Sequence, residues 1–560
     1  MSGFRHAFSL SSEQVRAANP PGTVLLSARG LHAAEQGESA RGHELVLIPQ
    51  PSSSPADPLN WAIWRKVAVL TCMSLYAAVG NFASASIASA FPLYATPLAF
   101  DPPVSIGKLT HLTAVNVLMM GAANIWWVPL ANIFGRRPII LGNLLLLVLC
   151  SMWAGLAKSF GSLLAARIFM GIAVAPADTS NRFLNYPVFS YITNPIWSTS
   201  VAPNVVGEIF LTHQRGRAMG CYTACICLGP IIGGMSGGYV AGNKGLAWIH
   251  WVNVILAATL LLGTAALVPE TLFDRSQAQC STQFEDSGNT EGKPNVQFAE
   301  NAATTSLSNK LDQETDFVSM LRLRRFEGDV IQKFLAPWKT LRLPGVWLVM
   351  FWYAGLVGGV VTITTIGPSL IAEPPYLWGK DSGLIMTGGI VGAVLGLIMT
   401  NVTADRIIVT KSVLQGDSFV EPERRLLIAI PGLLLATTGL WTFGFCAQSL
   451  GPPHMWVGMQ FGIGMLSFGL MQAPSIGFNY LIDAYGPLAA DCFVAVTCMR
   501  SIVSFSWTFF AGEWVTSAGP AIPFGVFGAL MGVFSFFTIP VWAWGKRTRI
   551  ATAHWVPKFS

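Results

Sequence analysis

The chain has 560 residues, 52% of them hydrophobic and only 11% charged, against roughly a quarter charged in a typical soluble domain. Eleven charged residues lie in 1–66 and nineteen in 274–342, leaving 32 for the other 425 positions, too few to cover a water-exposed surface. This excludes a disordered or acidic-tail protein and argues against a soluble enzyme. The modest net charge of +6, held in short clusters between apolar runs, is no nucleic-acid footprint.

Residues 1–66 are rich in Ser, Pro, Gly and Ala, lack an apolar leader core, and read as a flexible cytosolic tail. Twelve apolar runs follow, near 67–95, 109–131, 138–157, 161–177, 218–241, 248–268, 346–371, 383–403, 426–447, 455–481, 490–511 and 521–544. Most have about the 20 residues that span a ~30 Å hydrocarbon core at 1.5 Å per residue. The expected fold is all-α and membrane-embedded. A six-helix bundle (67–271) and a second one (344–545) flank a cytosolic linker (272–343), and a cytosolic tail (546–560) closes the chain. Two equal halves joined by a long loop suggest an internal repeat.

With the N-terminus in the cytosol, the short cytosolic loops and C-terminal flank hold eleven Lys and Arg, and the opposite side four. The positive-inside rule therefore puts both termini and the linker in the cytosol. Eight of the nine cysteines lie in or at the edge of apolar runs, with no metal-ligand spacing. They read as packing thiols, and no metal or cofactor is expected. His111, His250 and His454 read as hydrogen-bonding groups at the outer membrane interface. No phosphate-binding glycine-lysine loop or hydrolase constellation occurs, so the chain reads as no enzyme.

Several motifs stand in chain order. The loop between spans two and three carries Asn132, Gly135, Arg136 and Arg137. Two arginines there can meet helix C-terminal carbonyls and acidic partners, or simply anchor the loop to the cytosolic side. Span four holds Arg167, followed at a distance by Glu208; an ionisable group within a span is costly and by default functional. Span five carries Gly229, Pro230, Gly233 and Gly234, and span six ends in Pro269-Glu270-Thr271. Gly388, Gly392 and Gly396 recur every four residues in span eight, a spacing that lets helix backbones approach closely. Asp405 and Arg406 follow that span, and Arg500 lies mid-way along span eleven. Asn81, Trp127, Tyr353, Gln460, Gln472 and Asn479 are candidate cavity residues; sparse amides among aromatics suit a large, weakly polar cargo. Each can equally serve helix packing.

As an ordered set these motifs resemble the major facilitator superfamily, and more closely its fungal 12-span drug:proton antiporters. Asp57-Pro58-Leu59-Asn60-Trp61 and Glu423-Arg424-Arg425-Leu426 fit the same pattern, and the likeness runs over roughly 57–549. It departs at Asn132, where the superfamily usually has an acid, and at Cys225, where the antiporters usually have another glycine. The resemblance implies a secondary transporter exporting small amphipathic molecules by proton antiport and alternating access. Arg167 would then face the central cavity and take part in proton exchange, with Glu208 and Arg500 as further candidates. Asn132, Gly135, Arg136, Arg137, Asp405 and Arg406 would form the gating loops. The glycine stripes of spans five and eight would face each other between the halves. The partners implied are the lipid bilayer, a small-molecule substrate and protons, with no nucleic acid. The protein is expected as a monomer in the plasma membrane or, alternatively, the vacuolar membrane. A proton-coupled importer of the same fold and a non-transporting membrane sensor or scaffold are the rival readings.

One stretch breaks the pattern. Residues 179–199 bring Asp-free but Asn-, Arg- and Pro-containing text into the middle of span four, just after Asp178, and irregular backbone cannot face lipid. The stretch resembles nothing in the family and has no amphipathic period. It is either a cavity loop or a retained 63-nucleotide, in-frame intron, and the second reading is preferred. Transcript sequencing is expected to find a spliced form lacking about these residues, whose shorter product transports better. A single long transcript, with transport destroyed by deleting 179–199, would make the stretch a functional element.

Overall fold

The structure is a computed structural model. It describes residues 24–25, 61–97, 99–178, 212–269, 330–400, 419–420, 422–449, 454–485 and 488–552. Twelve helical spans are long and apolar enough to cross a bilayer. The first six are α1 (Ile63–Tyr94), α2 (Ile106–Ala131), α3 (Arg136–Leu156), α4 (Phe160–Ala177), α5 (Cys221–Lys244) and α6 (Ala247–Leu267). The second six are α7 (Pro344–Ala372), α8 (Gly379–Thr400), α9 (Pro422–Gln448), α10 (Met455–Ile482), α11 (Asp491–Ala518) and α12 (Ala521–Thr552). Helices are the required solution, because lipid offers no partner to a backbone amide or carbonyl.

Burial sorts the spans into inner and outer positions. The apolar window of α7 is 83% buried, against 33% for α6 and α12. Leu145, Leu149, Leu262, Phe461, Val533 and Phe536 are exposed large apolar side chains on the outside of the bundle. In water such a surface would be a liability; against lipid tails it is the matching one.

The two halves repeat one packing plan. α5 lies on α1 as α11 lies on α7, α2 on α4 as α8 on α10, and α3 on α6 as α9 on α12. The halves meet along two seams, α2 against α11 and α5 against α8.

The glycine stripes serve the interior of each half. A Cβ at Gly229 would come within 2.6 Å of the Ala78 carbonyl, and Cβ atoms at Gly233 and Gly237 would strike the Phe82 and Ser86 carbonyls of α1. In α8, Cβ atoms at Gly388, Gly392 and Gly396 would strike the backbone of α10 at Gln460, Gly464 and Phe468. The expectation that the stripes face one another is therefore corrected. α5 and α8 do meet, with Gly383 against the Gly234 and Met235 carbonyls and Gly238 against the Lys380 carbonyl, so of the span-five motif glycines Gly234 is the one turned to α8. A glycine row binds whichever backbone approaches it, and its spacing carries no partner's name.

These contacts give a differential test. Gly233→Leu and Gly392→Leu are expected to lower the thermal midpoint in detergent, through an overpacking cost of at least about 2 kcal/mol. Gly142→Leu and Gly263→Leu, at positions with no atom within 4 Å of the added Cβ, should leave it unchanged. Equal midpoints for all four variants would refute the close-packing account.

Candidate functional site

A cavity lies between the halves. α1, α2 and α5 line it from one side, and α7, α10 and α11 from the other. Its wall is mainly apolar, with Val117, Met120, Ile226, Val357, Val360 and Leu470. Polar groups are few and small: Asn81, Ser84, Thr113, Thr223, Thr364 and Ser475, with the phenol of Tyr353. Pro230 and Pro474 bring helix bends to the wall from the two sides. Arg500 is the one formally charged residue among the described lining residues, and its guanidinium sits 4.9 Å from the Tyr353 ring centroid. That cation–π contact holds a buried charge beside the space a cargo would fill.

Of the six candidate cavity residues, Asn81 and Tyr353 are in the lining. The other four are corrected among the described residues. Trp127 donates its indole N–H to the Ile172 carbonyl at 3.0 Å and ties α2 to α4. Gln460 reaches the Leu384 carbonyl at 3.3 Å, and Gln472 packs against Gly432 of α9. Asn479 is buried nearer the end of α10 and outside the lining. Long polar side chains here serve helix contacts, while serine and threonine supply the cavity's polarity. Scattered hydroxyls in apolar helices give no sequence signal of their own.

Arg167 is completely buried, which excludes a side chain reaching to the outer surface. Nor does it line the cavity, as the resemblance implied. Its Nη1 donates to the Ala83 carbonyl at 2.8 Å, its Nη2 to the Ser84 carbonyl, and its Nε to the Leu112 carbonyl at 3.4 Å. The reason lies in α1. Its helix runs Ile63–Ala85, then tightens into a 3₁₀ turn, Ala88–Ala90, before a short helix, Phe91–Tyr94. Carbonyls just before the break lose their helical partners, and the planar guanidinium takes their place. Asn116 completes the junction, donating to the Arg167 carbonyl at 2.7 Å and accepting from the Ser84 hydroxyl at 2.6 Å. Ser84 faces the cavity, so Arg167 stands directly behind its wall.

The two ends of the bundle differ. Away from the loops bearing Arg136 and Arg137, α5 and α8 close on one another. There Lys380 donates to the Asn243 side chain at 3.2 Å and lies 5.6 Å from the Tyr239 ring centroid. Along the second seam His111 stacks on Phe509 at 4.1 Å, and Cys498 donates to the Gly121 carbonyl at 3.4 Å. At the basic end each half carries an internal clamp. Gly135 turns the chain with φ 98°, and Arg137 donates to the Ala265 carbonyl near the end of α6 at 2.9 Å. In the second half Arg549 of α12 makes a two-pronged bond to Glu423 at the start of α9, at 2.7 and 2.9 Å. Arg136 is buried in the same turn. Glu208, Asp405, Arg406, the Asn132 side chain and the 179–199 stretch lie outside the described residues. Among the described residues no group of three or more His, Cys, Asp or Glu could hold a metal ion.

Comparison with known proteins follows the same lines. The family model described as Major Facilitator Superfamily matches residues 197–505, more than half of the chain. Protein HOL1 of Saccharomyces cerevisiae is 24% identical over 573 residues, covering 91% of each chain. The citrinin biosynthesis cluster MFS transporter mrr1 of Monascus ruber is 22% identical over 561 residues, covering 96% of this chain and 97% of its own. Efflux pump FUBT of Fusarium oxysporum is 23% identical over 465 residues, covering 81% of this chain and 68% of its own. Among solved structures, the xylose transporter XylE from E. coli, in a partially occluded inward open conformation, shares the fold. Its TM-score is 0.52 at 15% identity, over 85% of this chain and 99% of that one.

The Arg167 junction yields a graded expectation. Arg167→Ala should abolish transport and lower the thermal midpoint, because the Ser84 carbonyl loses its donor and those of Ala83 and Leu112 lose one each, at about 1–3 kcal/mol for a carbonyl left unsatisfied. Arg167→Lys should restore the midpoint only in part, since a point charge cannot bridge both carbonyls. Wild-type transport and midpoint in the alanine variant would show that α1 holds its break unaided.

Proposed function

Because the chain belongs to the major facilitator superfamily, a family of transporters rather than enzymes, we propose that it exports small amphipathic molecules in exchange for protons, by alternating access. The single observation that carries this is the cavity: central, shared by both halves, mostly apolar, with a thin set of hydroxyls and one cation. Such a wall binds apolar bulk without demanding one hydrogen-bonding pattern, which suits cargo of varied shape. The drug:proton antiporter subtype is supported by the Gly229-Pro230-x-x-Gly233-Gly234 text. Relatives named as an efflux pump and as a citrinin biosynthesis cluster transporter support export.

In this proposal the basic end faces the cytosol, consistent with the distribution of Lys and Arg, and the protein works as a monomer in the plasma membrane. The closed α5–α8 seam then makes this an inward-facing or occluded state. Glu208 and Arg500 remain proposed participants in coupling, and Asp405 and Arg406 proposed gating residues. The bundles and linker follow the proposed boundaries 67–271, 272–343 and 344–545. That the family match begins at residue 197 supports reading 179–199 as an interruption of the family pattern.

Inside-out vesicles from an expressing strain test the exchange, with ethidium and fluorescein as cationic and anionic amphipathic probes. An acid-interior gradient should drive uptake of at least one probe, and a protonophore should collapse it. Uptake that needs an acid exterior instead would establish symport and overturn the export reading. Indifference to the gradient for both probes would overturn proton coupling.

A further inference from the structure

A second polar cluster lies inside the first half, behind the cavity wall. His250, near the start of α6, was expected at the membrane surface. It is instead buried, with 1% of its surface exposed. Its Nε2 is 3.3 Å from the Tyr94 hydroxyl, and its Nδ1 is buried without a hydrogen-bond partner among the described residues. Nearly one turn further on, Asn253 donates to the Ser86 hydroxyl at 3.4 Å, while its own Oδ1 is likewise unpartnered. The Ser89 hydroxyl is a third unpartnered buried atom. All three belong to α6 or to the broken end of α1. A buried polar atom without a partner costs about 1–3 kcal/mol, so three on two facing segments mark a place that water or a proton enters.

The cluster is wired to the cavity. The Ser86 hydroxyl donates to the Ala83 carbonyl at 3.3 Å, and that carbonyl also receives Nη1 of Arg167. Ser84, one residue on, holds Arg167 with its carbonyl and lines the cavity. The four residues 83–86 therefore join cargo space, Arg167 and, through Asn253, the α6 turn that carries His250. The titratable or charged groups that reach His250 are Tyr94 from the end of α1 and Arg167 from α4. α3 faces it with Gly155.

We propose that His250 is a proton-binding residue of the exchange cycle, loaded when the broken end of α1 parts from α7 and α8. This rests on the antiport reading. The step is one protonation: neutral imidazole takes a proton to become imidazolium and later returns it, with no other bond made or broken. The Tyr94 hydroxyl can donate to a bare Nε2 or accept from Nε2–H, so the contact survives either state. In the closed state Ala88–Ala90 packs on α7 and α8, and water cannot reach the ring. Opening that end wets the cluster. A proton there adds a second positive charge within electrostatic reach of Arg167, which grips the α1 break, so protonation biases the position of α1.

The test uses purified full-length protein in proteoliposomes with ethidium or fluorescein, whichever the parent moves. In His250→Gln and His250→Asn, gradient-driven accumulation should fall by at least about tenfold, while counterflow at equal pH on both sides persists. Tyr94→Phe should retain accumulation but displace its pH profile. Parental accumulation and pH profile in a folded His250 variant would overturn the assignment. Proportionate loss of accumulation and counterflow, with an unchanged thermal midpoint, would also overturn it by reducing His250 to packing. A parent that shows counterflow but no gradient-driven movement would instead refute the antiport reading itself.

Discussion

A carbonyl that leaves its helix inside a bilayer must find a donor, and most of this structure's functional half is arranged around one such event. α1 stops being an α-helix at Ser86, within the span Ile63–Tyr94, and Arg167 supplies the missing N–H groups from α4. The cost of burying a guanidinium is offset by hydrogen bonds to carbonyls that would otherwise be orphaned. α5 approaches the regular part of α1 at Gly229 and Gly233 and reaches the break at Gly237, while beyond the break Tyr94 comes to lie beside α6. One arginine thus sets the path of the helix that forms one wall of the site.

The number of spans was readable because each apolar run is long and the gaps between runs are polar; hydropathy alone separates the two. The six-plus-six arrangement was readable from the linker's 19 charges. Facing directions were not. Gly229, Gly233 and Gly237 announce a close approach but not to what, and the partner proved to be α1 rather than α8. The direction of Arg167 depends on the α1 break, whose one local signal is Pro92 at the start of the short helix that follows it, inside an otherwise continuous apolar run. His250 illustrates the same limit. Its position near the start of an apolar run reads as interfacial, yet the folded-back end of α1 covers it. A side chain's depth along a span can be counted in sequence; what lies over it cannot.

The cavity shows why amides were poor guides. Gln460 is long enough to bond the Leu384 carbonyl of a neighbouring helix, and Gln472 packs against Gly432 of α9, so neither lines the cavity. Serine and threonine satisfy themselves within their own helix, as Thr364 does on the Val361 carbonyl at 3.0 Å. They can then present a small polar surface to a cargo without an unsatisfied group. Other lining groups keep an open valence: the Thr113 and Ser475 hydroxyls are buried with no hydrogen-bond partner among the described residues, so they are left to meet whatever fills the cavity.

Alternating access requires parts that stay rigid and seams that open, and the contact chemistry divides along that line. Within the first half, α3 is tied to α6 by Arg137 on the Ala265 carbonyl; within the second, α9 is tied to α12 by the buried Glu423–Arg549 pair. The positions correspond in the two halves although the chemistry differs. Removing one member of a buried pair strands a charge, at about 3–5 kcal/mol. Among the described residues, contacts between the halves include weaker ones: an exposed lysine–amide bond, a thiol on a carbonyl, and a histidine stacked on a phenylalanine. Exposed polar bonds are worth about 0–1 kcal/mol. Under the proposed alternating access, the polar bonds that would break when the halves rock are the weak ones, and those described within each half are buried.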